Sequence, residues 1–170
     1  MPFNIRNYRD GDFKTLLAID QSCFPKGIAY TQFELKTYIS RRGSFTLIAE
    51  ASDGVPLSLD SPSGGGPDSA ILGFIVAERT RATGHIITID VRAEARRHHV
   101  GSVLLQSAEE QFRLWNCPHI RLETAVDNIA AISFYKRHGF NVVKTIPRYY
   151  SNGVDALLLE KDLLSPPSSR

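Results

Sequence analysis

The sequence predicts a single α/β domain with a mixed, mostly antiparallel sheet of about six or seven strands and four helices. Three observations carry that expectation. A chain of 170 residues is long enough for one hydrophobic core and short for two. Its hydrophobic fraction of 42% beside 22% charged residues is that of an ordinary globular domain. Its apolar residues recur in two periods, alternating in short β-branched runs and helically spaced in longer segments, so both element types must share the core.

Phe3 and Ile5 alternate with Asn4 and Arg6, giving a first strand with one buried face. Asp10 is the expected N-cap of a helix carrying Leu16, Leu17 and Phe24, which Phe24-Pro25 closes because proline disfavours helical geometry in the residue before it. Thr31 and Glu34 have capping-box spacing, so a second helix starts there and ends near Arg41 to Gly43. Phe45–Glu50, Ala70–Glu78 and His85–Val91 are strand-length apolar runs that read as an antiparallel meander. Between the first two, 12 of the 18 residues from Ser52 to Ser69 are Ser, Gly or Pro, a composition suited to a mobile loop, with a substrate lid as the rival reading. Leu104, Leu105, Ala108, Phe112 and Trp115 mark one face of a helix over Ser102–Trp115. A short strand, Ile120–Glu123, precedes a helix over Asn128–His138 that Gly139 caps. Phe140–Ile146 and Val154–Glu160 complete a domain spanning residues 1–164, and Ser165–Arg170 is an expected disordered tail.

Composition also excludes some functions. No apolar run reaches the roughly 18 residues of a membrane span, and the N-terminus lacks the pattern of a signal peptide, so a cytoplasmic protein is expected. Cys23 and Cys117 have no metal-ligand spacing and read as free thiols, with no metal expected. Twenty basic against 18 acidic residues is too even a balance for a protein whose main task is gripping nucleic acid.

The segment from Ile89 to Leu105 runs strand, turn, helix, with Arg96, Arg97, His98, His99 and Gly101 at the helix entrance. Free N–H groups and the positive end of a helix dipole form an anion site there. A solvated basic turn and a nucleic-acid patch are the other readings of those residues. Asn128 and Tyr135, seven apart, share a helix face and can address one ligand, though Tyr135 also reads as a core aromatic. Glu123 ends a strand, where a carboxylate facing a cleft serves as a general base and one facing water is a surface group, paired with Arg121 or another cation.

The first segment resembles motif A of the GNAT acetyltransferases, Q/R-x-x-G-x-G/A, which falls here on Arg96, Arg97, His98, His99, Val100 and Gly101. The block from Leu122 to Phe140 resembles that family's other signature through Leu122, Asn128, Ala131, Tyr135, Gly139 and Phe140. The resemblance implies a fold whose fourth and fifth strands are splayed parallel neighbours. It implies acetyl-CoA as co-substrate, its pyrophosphate on the amides from Arg97 to Ser102 beside Arg96, and its pantetheine along Ile89, Asp90 and Val91. Asn128 would hydrogen-bond the pantetheine, the Val91 N–H steady the oxyanion, and Tyr135 protonate the leaving thiolate. His99 departs from the pattern by standing where the family has its first glycine. Glu123 precedes Asn128 by the spacing of the base in N-terminal acetyltransferases, which implies that it takes the proton from the substrate amine.

Two further fragments, Asp20–Pro25 and Ile146–Leu159, resemble the bacterial ribosomal-protein-alanine and archaeal N-terminal acetyltransferases. By that likeness Phe24, Ile28, Tyr149 and Tyr150 are expected to contact the acceptor, a protein N-terminus. Acetylation of a small amine or a lysine side chain, and an acyl-CoA sensor without turnover, are the alternatives. Retention of Glu123, Asn128 and Tyr135 together favours catalysis.

Overall fold

The computed structural model describes residues 1–52 and 71–164. Apart from Ser52, the expected loop to Ser69 lies outside the described residues, as do Ala70 and the Ser165–Arg170 tail. Seven strands form one sheet in the order β1-β2-β3-β4-β5-β7-β6, comprising β1 (Phe3–Asn7), β2 (Ser44–Ala51), β3 (Ile71–Thr80), β4 (Thr83–Val91), β5 (His119–Ala125), β6 (Asn141–Ile146) and β7 (Ala156–Asp162). Every neighbouring pair is antiparallel except β4 and β5. The described helices are α1 (Phe13–Cys23), α2 (Gln32–Ser40), α3 (Val100–Leu114) and α4 (Ile129–Arg137), and none is long and apolar enough to cross a membrane.

The central strand β3 is buried at every residue from Ile71 to Glu78 because helices cover both of its faces, which is why it reads as a continuous apolar run. Leu72, Ile75 and Ala77 face a core with Leu104, Leu105 and Phe112 of α3, whereas Ile71, Phe74 and Val76 face Leu16 and Ile19 of α1 and Leu35 of α2. Each fully buried Leu, Ile or Phe stabilises this packing by about 1.5–3 kcal/mol.

Local signals hold where the chain decides its own geometry. Thr31 accepts from the Glu34 N–H at 3.2 Å while Glu34 accepts from the Thr31 N–H at 2.8 Å, and Phe24 is extended with φ −127° before Pro25. Asp10 is not the cap of α1. It opens a 3₁₀ turn, and Asp12 is the N-cap. There the Arg6 guanidinium holds the Asp12 carboxylate at 2.8 Å and the Arg9 N–H adds a bond at 2.8 Å, so a contact with β1 fixes the helix start. α3 begins at Val100, two residues before the expected Ser102. β7 begins at Ala156 instead of Val154 and runs to Asp162.

One irregularity shapes the site. The β3–β4 register slips between Val76 and Ala77, which pair with Thr88 and Ile86, so Ile87 is bulged. The bulge breaks the period of two: Ile86 and Ile89, three apart, both pack toward α3, while Ile87 packs with the α1–α2 core.

Candidate active site

β4 and β5 pair only through Thr83, Gly84 and His85 against His119, Ile120 and Arg121. Beyond that register the strands part, and a cavity of about 620 Å³ opens between them. Strand β4 from His85 to Ile89 together with Val91, β5 from Leu122 to Ala125, the start of α4, the segment after α1 and the hairpin residues Tyr149, Tyr150 and Asn152 all line it. The slot therefore cuts through the sheet, with α3 and α4 on one face and α1 and α2 on the other.

Glu123 stands on β5 inside this slot, its side chain 14% exposed. Among the described residues its hydrogen-bond partner is His85 and not Arg121, with His85 Nε2 at 2.6 Å from Glu123 Oε2. His85 Nδ1 lies 3.8 Å from Glu78 Oε1, and Glu78 in turn receives Arg41 Nη1 at 3.2 Å. The ring nitrogens of His85 thus lie between two acids, with Nε2 in hydrogen-bond contact with Glu123 and Nδ1 facing, beyond hydrogen-bond distance, the Glu78 carboxylate that Arg41 holds. His85 is the residue that sequence reasoning missed. Its signal, a histidine in an otherwise apolar strand, acquires meaning only once the parallel register sets β4 beside β5.

Tyr135 faces the same slot from α4. Its ring is held edge-on by Phe134 and Phe140, with centroids 5.2 and 5.6 Å away. Burial, and after it the charges of Asp90 and Tyr150, push the phenol upward, so it keeps its proton at neutral pH and is a donor. Burial likewise pushes Tyr149 up to about 12 and raises Tyr150 and Tyr30. Asn128 is the N-cap of α4, its Oδ1 accepting from the Ala131 N–H at 3.1 Å, and it lines the cavity. The expected acceptor contacts Phe24, Ile28, Tyr149 and Tyr150 all line the cavity. Over them the two loops meet: Ser151 donates to Gly27 O at 2.9 Å.

The other end of the slot is made by main chain. Arg97 and His99 both adopt left-handed backbone, φ 65° and 62°, and α3 begins at the next residue. His99 makes no side-chain cap, so the first N–H groups of α3 have no acceptor within the helix, and alternating backbone handedness makes a concavity suited to an anion. Arg97, His98 and His99 are exposed, and Gly101 lines the cavity. Val100 is 1% exposed, so its side chain belongs to the core and only its amide is left for a ligand. Ser102 is engaged by His138, whose Nε2 lies 3.0 Å from its Oγ, while His138 Nδ1 sits 2.8 Å from Phe134 O. Arg96 turns back into the cavity, its Nε donating to Val91 O at 3.2 Å. Ile89 and Val91 line the slot.

The Asp90 side chain is 1% exposed and turned to α1, away from the slot, so only its main chain is left for a ligand there. Cys23 lines the cavity and donates to Val91 O at 3.5 Å. Burial pushes its thiol up, which is the wrong direction for a nucleophile.

The sequence pattern of the acetyltransferase (GNAT) family matches residues 17–140. An uncharacterized N-acetyltransferase of Methanocaldococcus jannaschii is 38% identical over 95 residues, an alignment covering 55% of this chain and 61% of that protein. An N-alpha-acetyltransferase of Sulfurisphaera tokodaii is 29% identical over 164 residues, 95% of this chain and 93% of the relative. The crystal structure of Ard1 from Thermoplasma volcanium has the same fold, with a TM-score of 0.80 at 24% identity over 97% of this chain and 100% of that one.

Proposed function

The chain belongs to the acetyltransferase (GNAT) family, and from that premise we propose that it transfers an acetyl group from acetyl-CoA to the α-amine of a protein N-terminus. The observation that carries the proposal is the His85–Glu123 pair at 2.6 Å, set in the same slot as the protonated Tyr135. The name of the Sulfurisphaera relative supports the choice of acceptor.

In this reading Glu123, oriented by His85, removes a proton from the acceptor ammonium so that the free amine attacks the thioester carbonyl. The Val91 N–H, on the part of β4 that β5 no longer pairs, donates to the oxyanion. Tyr135 then gives its proton to the departing thiolate and is reprotonated by the second proton, which the attacking nitrogen loses as the amide forms. The left-handed residues Arg97 and His99 and the amides that open α3 fit a pyrophosphate, with Arg96 alongside. Asn128 donates its amide N–H to the pantetheine. Phe24, Ile28, Tyr149 and Tyr150 surround the first residue of the acceptor.

Release of coenzyme A thiol is the direct measurement. Acetyl-CoA is offered with peptides of varied first residues, with the same peptides already blocked at the N-terminus but carrying a lysine, and with small amines. Turnover on free N-termini and its loss on blocked ones is expected. Turnover on the blocked peptides or the small amines alone would overturn the choice of acceptor.

A further inference from the structure

Two carboxyl groups outside this chemistry meet in the interior. Asp20, near the end of α1, is 0% exposed, and Asp90, the residue before Val91, is 1% exposed. They lie within hydrogen-bonding reach of each other. One oxygen of each is accounted for: Asp20 Oδ2 accepts from the Tyr30 N–H at 2.7 Å, and Asp90 Oδ1 from the Thr88 hydroxyl at 2.6 Å. The remaining oxygens, Asp20 Oδ1 and Asp90 Oδ2, are buried and receive no donor from the described residues.

Two buried carboxylates facing each other cannot both be ionised. Among the described residues no cation is in contact with the free oxygens of the pair. From α1 Cys23 faces Asp90, from α2 Glu34 faces Asp20, from α4 Tyr135 faces Asp90, and Arg96, after β4, acts on Asp90 only at a distance. We infer that Asp20 and Asp90 share one proton at neutral pH and form a positioning pair that ties the acceptor loop to the strand bearing Val91. The connection is short at both ends. Asp20 holds the loop through the Tyr30 amide, and Tyr30 and Ile28 line the cavity. Asp90 is bonded to the residue whose N–H points at the developing oxyanion. A proton bridging the carboxyls fixes the acceptor wall relative to the oxyanion donor, and losing it sets two like charges against each other at that joint.

Burial, the leading cause, raises both acids, and the sign of the linkage follows. The unfolded chain ionises first, at about pH 4, so the pair's contribution is intact below that pH. Stability declines as pH rises from there through the folded-state values.

The positioning role rests on the proposed reaction, whereas the shared proton does not, and two measurements separate them. Infrared difference spectra of the full chain at neutral pH are expected to contain the carbonyl band of a protonated carboxylic acid, lost in Asp90→Asn or Asp20→Asn. Absence of the band, or its survival in both variants, overturns the shared proton. For positioning, Asp20→Ala is expected to raise the acceptor KM about tenfold or more while acetyl-CoA affinity stays put, the scale of one lost buried hydrogen bond. Asp20→Asn, whose amide can donate to Asp90 and still accept from Tyr30, is expected to restore the KM and remove its alkaline rise. An unchanged KM in a folded Asp20→Ala, or failure of Asp20→Asn to restore it, overturns the positioning. If Asp20→Ala does not fold, the alkaline rise in KM of the wild type against a flat Asp20→Asn profile decides. No turnover on any N-terminus with the band present would sink the reaction and leave the pair.

Discussion

The two ends of the slot are built from different materials. At the end proposed for the acceptor the proposed roles fall to side chains: Glu123 and His85 are in contact across two strands, and Tyr135 is clamped by aromatic rings. At the end proposed for the pyrophosphate they fall to backbone, the left-handed Arg97 and His99 and the opening amides of α3, where the side chains of Arg97, His98 and His99 are exposed and that of Val100 belongs to the core. Chemistry that moves protons needs groups of particular acidity. Holding a charge that never changes needs only oriented dipoles. The first end is therefore expected to be intolerant of substitution and the second forgiving.

The largest expected effect tests the intolerant end. Glu123→Gln keeps shape and hydrogen bonding but cannot take a proton, so turnover at neutral pH should fall by roughly 10²-fold or more, with acetyl-CoA affinity little changed. An α-amine titrates near pH 8, so alkaline conditions should partly rescue the variant. Near wild-type turnover across the pH range would return Glu123 to a structural role. Tyr135→Phe should lose turnover by a similar factor at unchanged acetyl-CoA binding, measured by calorimetry.

Next comes the pair itself. If His85 acts through Glu123, adding His85→Gln to Glu123→Gln should cost much less than the two single losses combined, because the residues share one function. Steady-state kinetics of the four proteins measure this, and full additivity would show that His85 works elsewhere.

A smaller effect is expected where the two ends share a wall. A Cβ on Gly73 would overlap Asp90 O and come 3.1 Å from Val91 Cα. Gly73→Ala should thus displace the end of β4, lowering stability by about 1–3 kcal/mol and turnover more than acetyl-CoA affinity. A thermal melt and a calorimetric titration read the two quantities.

The smallest effect belongs to the forgiving end. At His99, with φ 62°, a side chain is strained by roughly 1 kcal/mol. His99→Gly should bind acetyl-CoA as tightly as the wild type or more so. A strong loss of affinity would mean that the imidazole touches the cofactor, and the contrast between the two ends would collapse.

The difference between the ends also explains what could be read in advance. Caps and stops are local, so Thr31 with Glu34, Phe24 before Pro25 and Asn128 at the start of α4 were visible in the order of residues. Glu123 and Tyr135 stand out because the spacing of a whole block accompanies them, and both line the slot. His85 does not, because its partner is 38 residues away and the parallel register joins them. Which face of β4 carries the Asp90 side chain was not legible, because the bulge at Ile87 interrupts the alternation that assigns strand residues to faces. Asp10 lost to Asp12 because an arginine on β1 chose between them.

The parting of β4 from β5 has a kinetic consequence. In the proposed reaction the donor loads from the α3 side and the acceptor from beneath the loops that meet at Gly27 and Ser151. Neither molecule must vacate for the other to arrive. Initial-velocity plots are accordingly expected to intersect, and the coenzyme and the finished product to depart by separate doors.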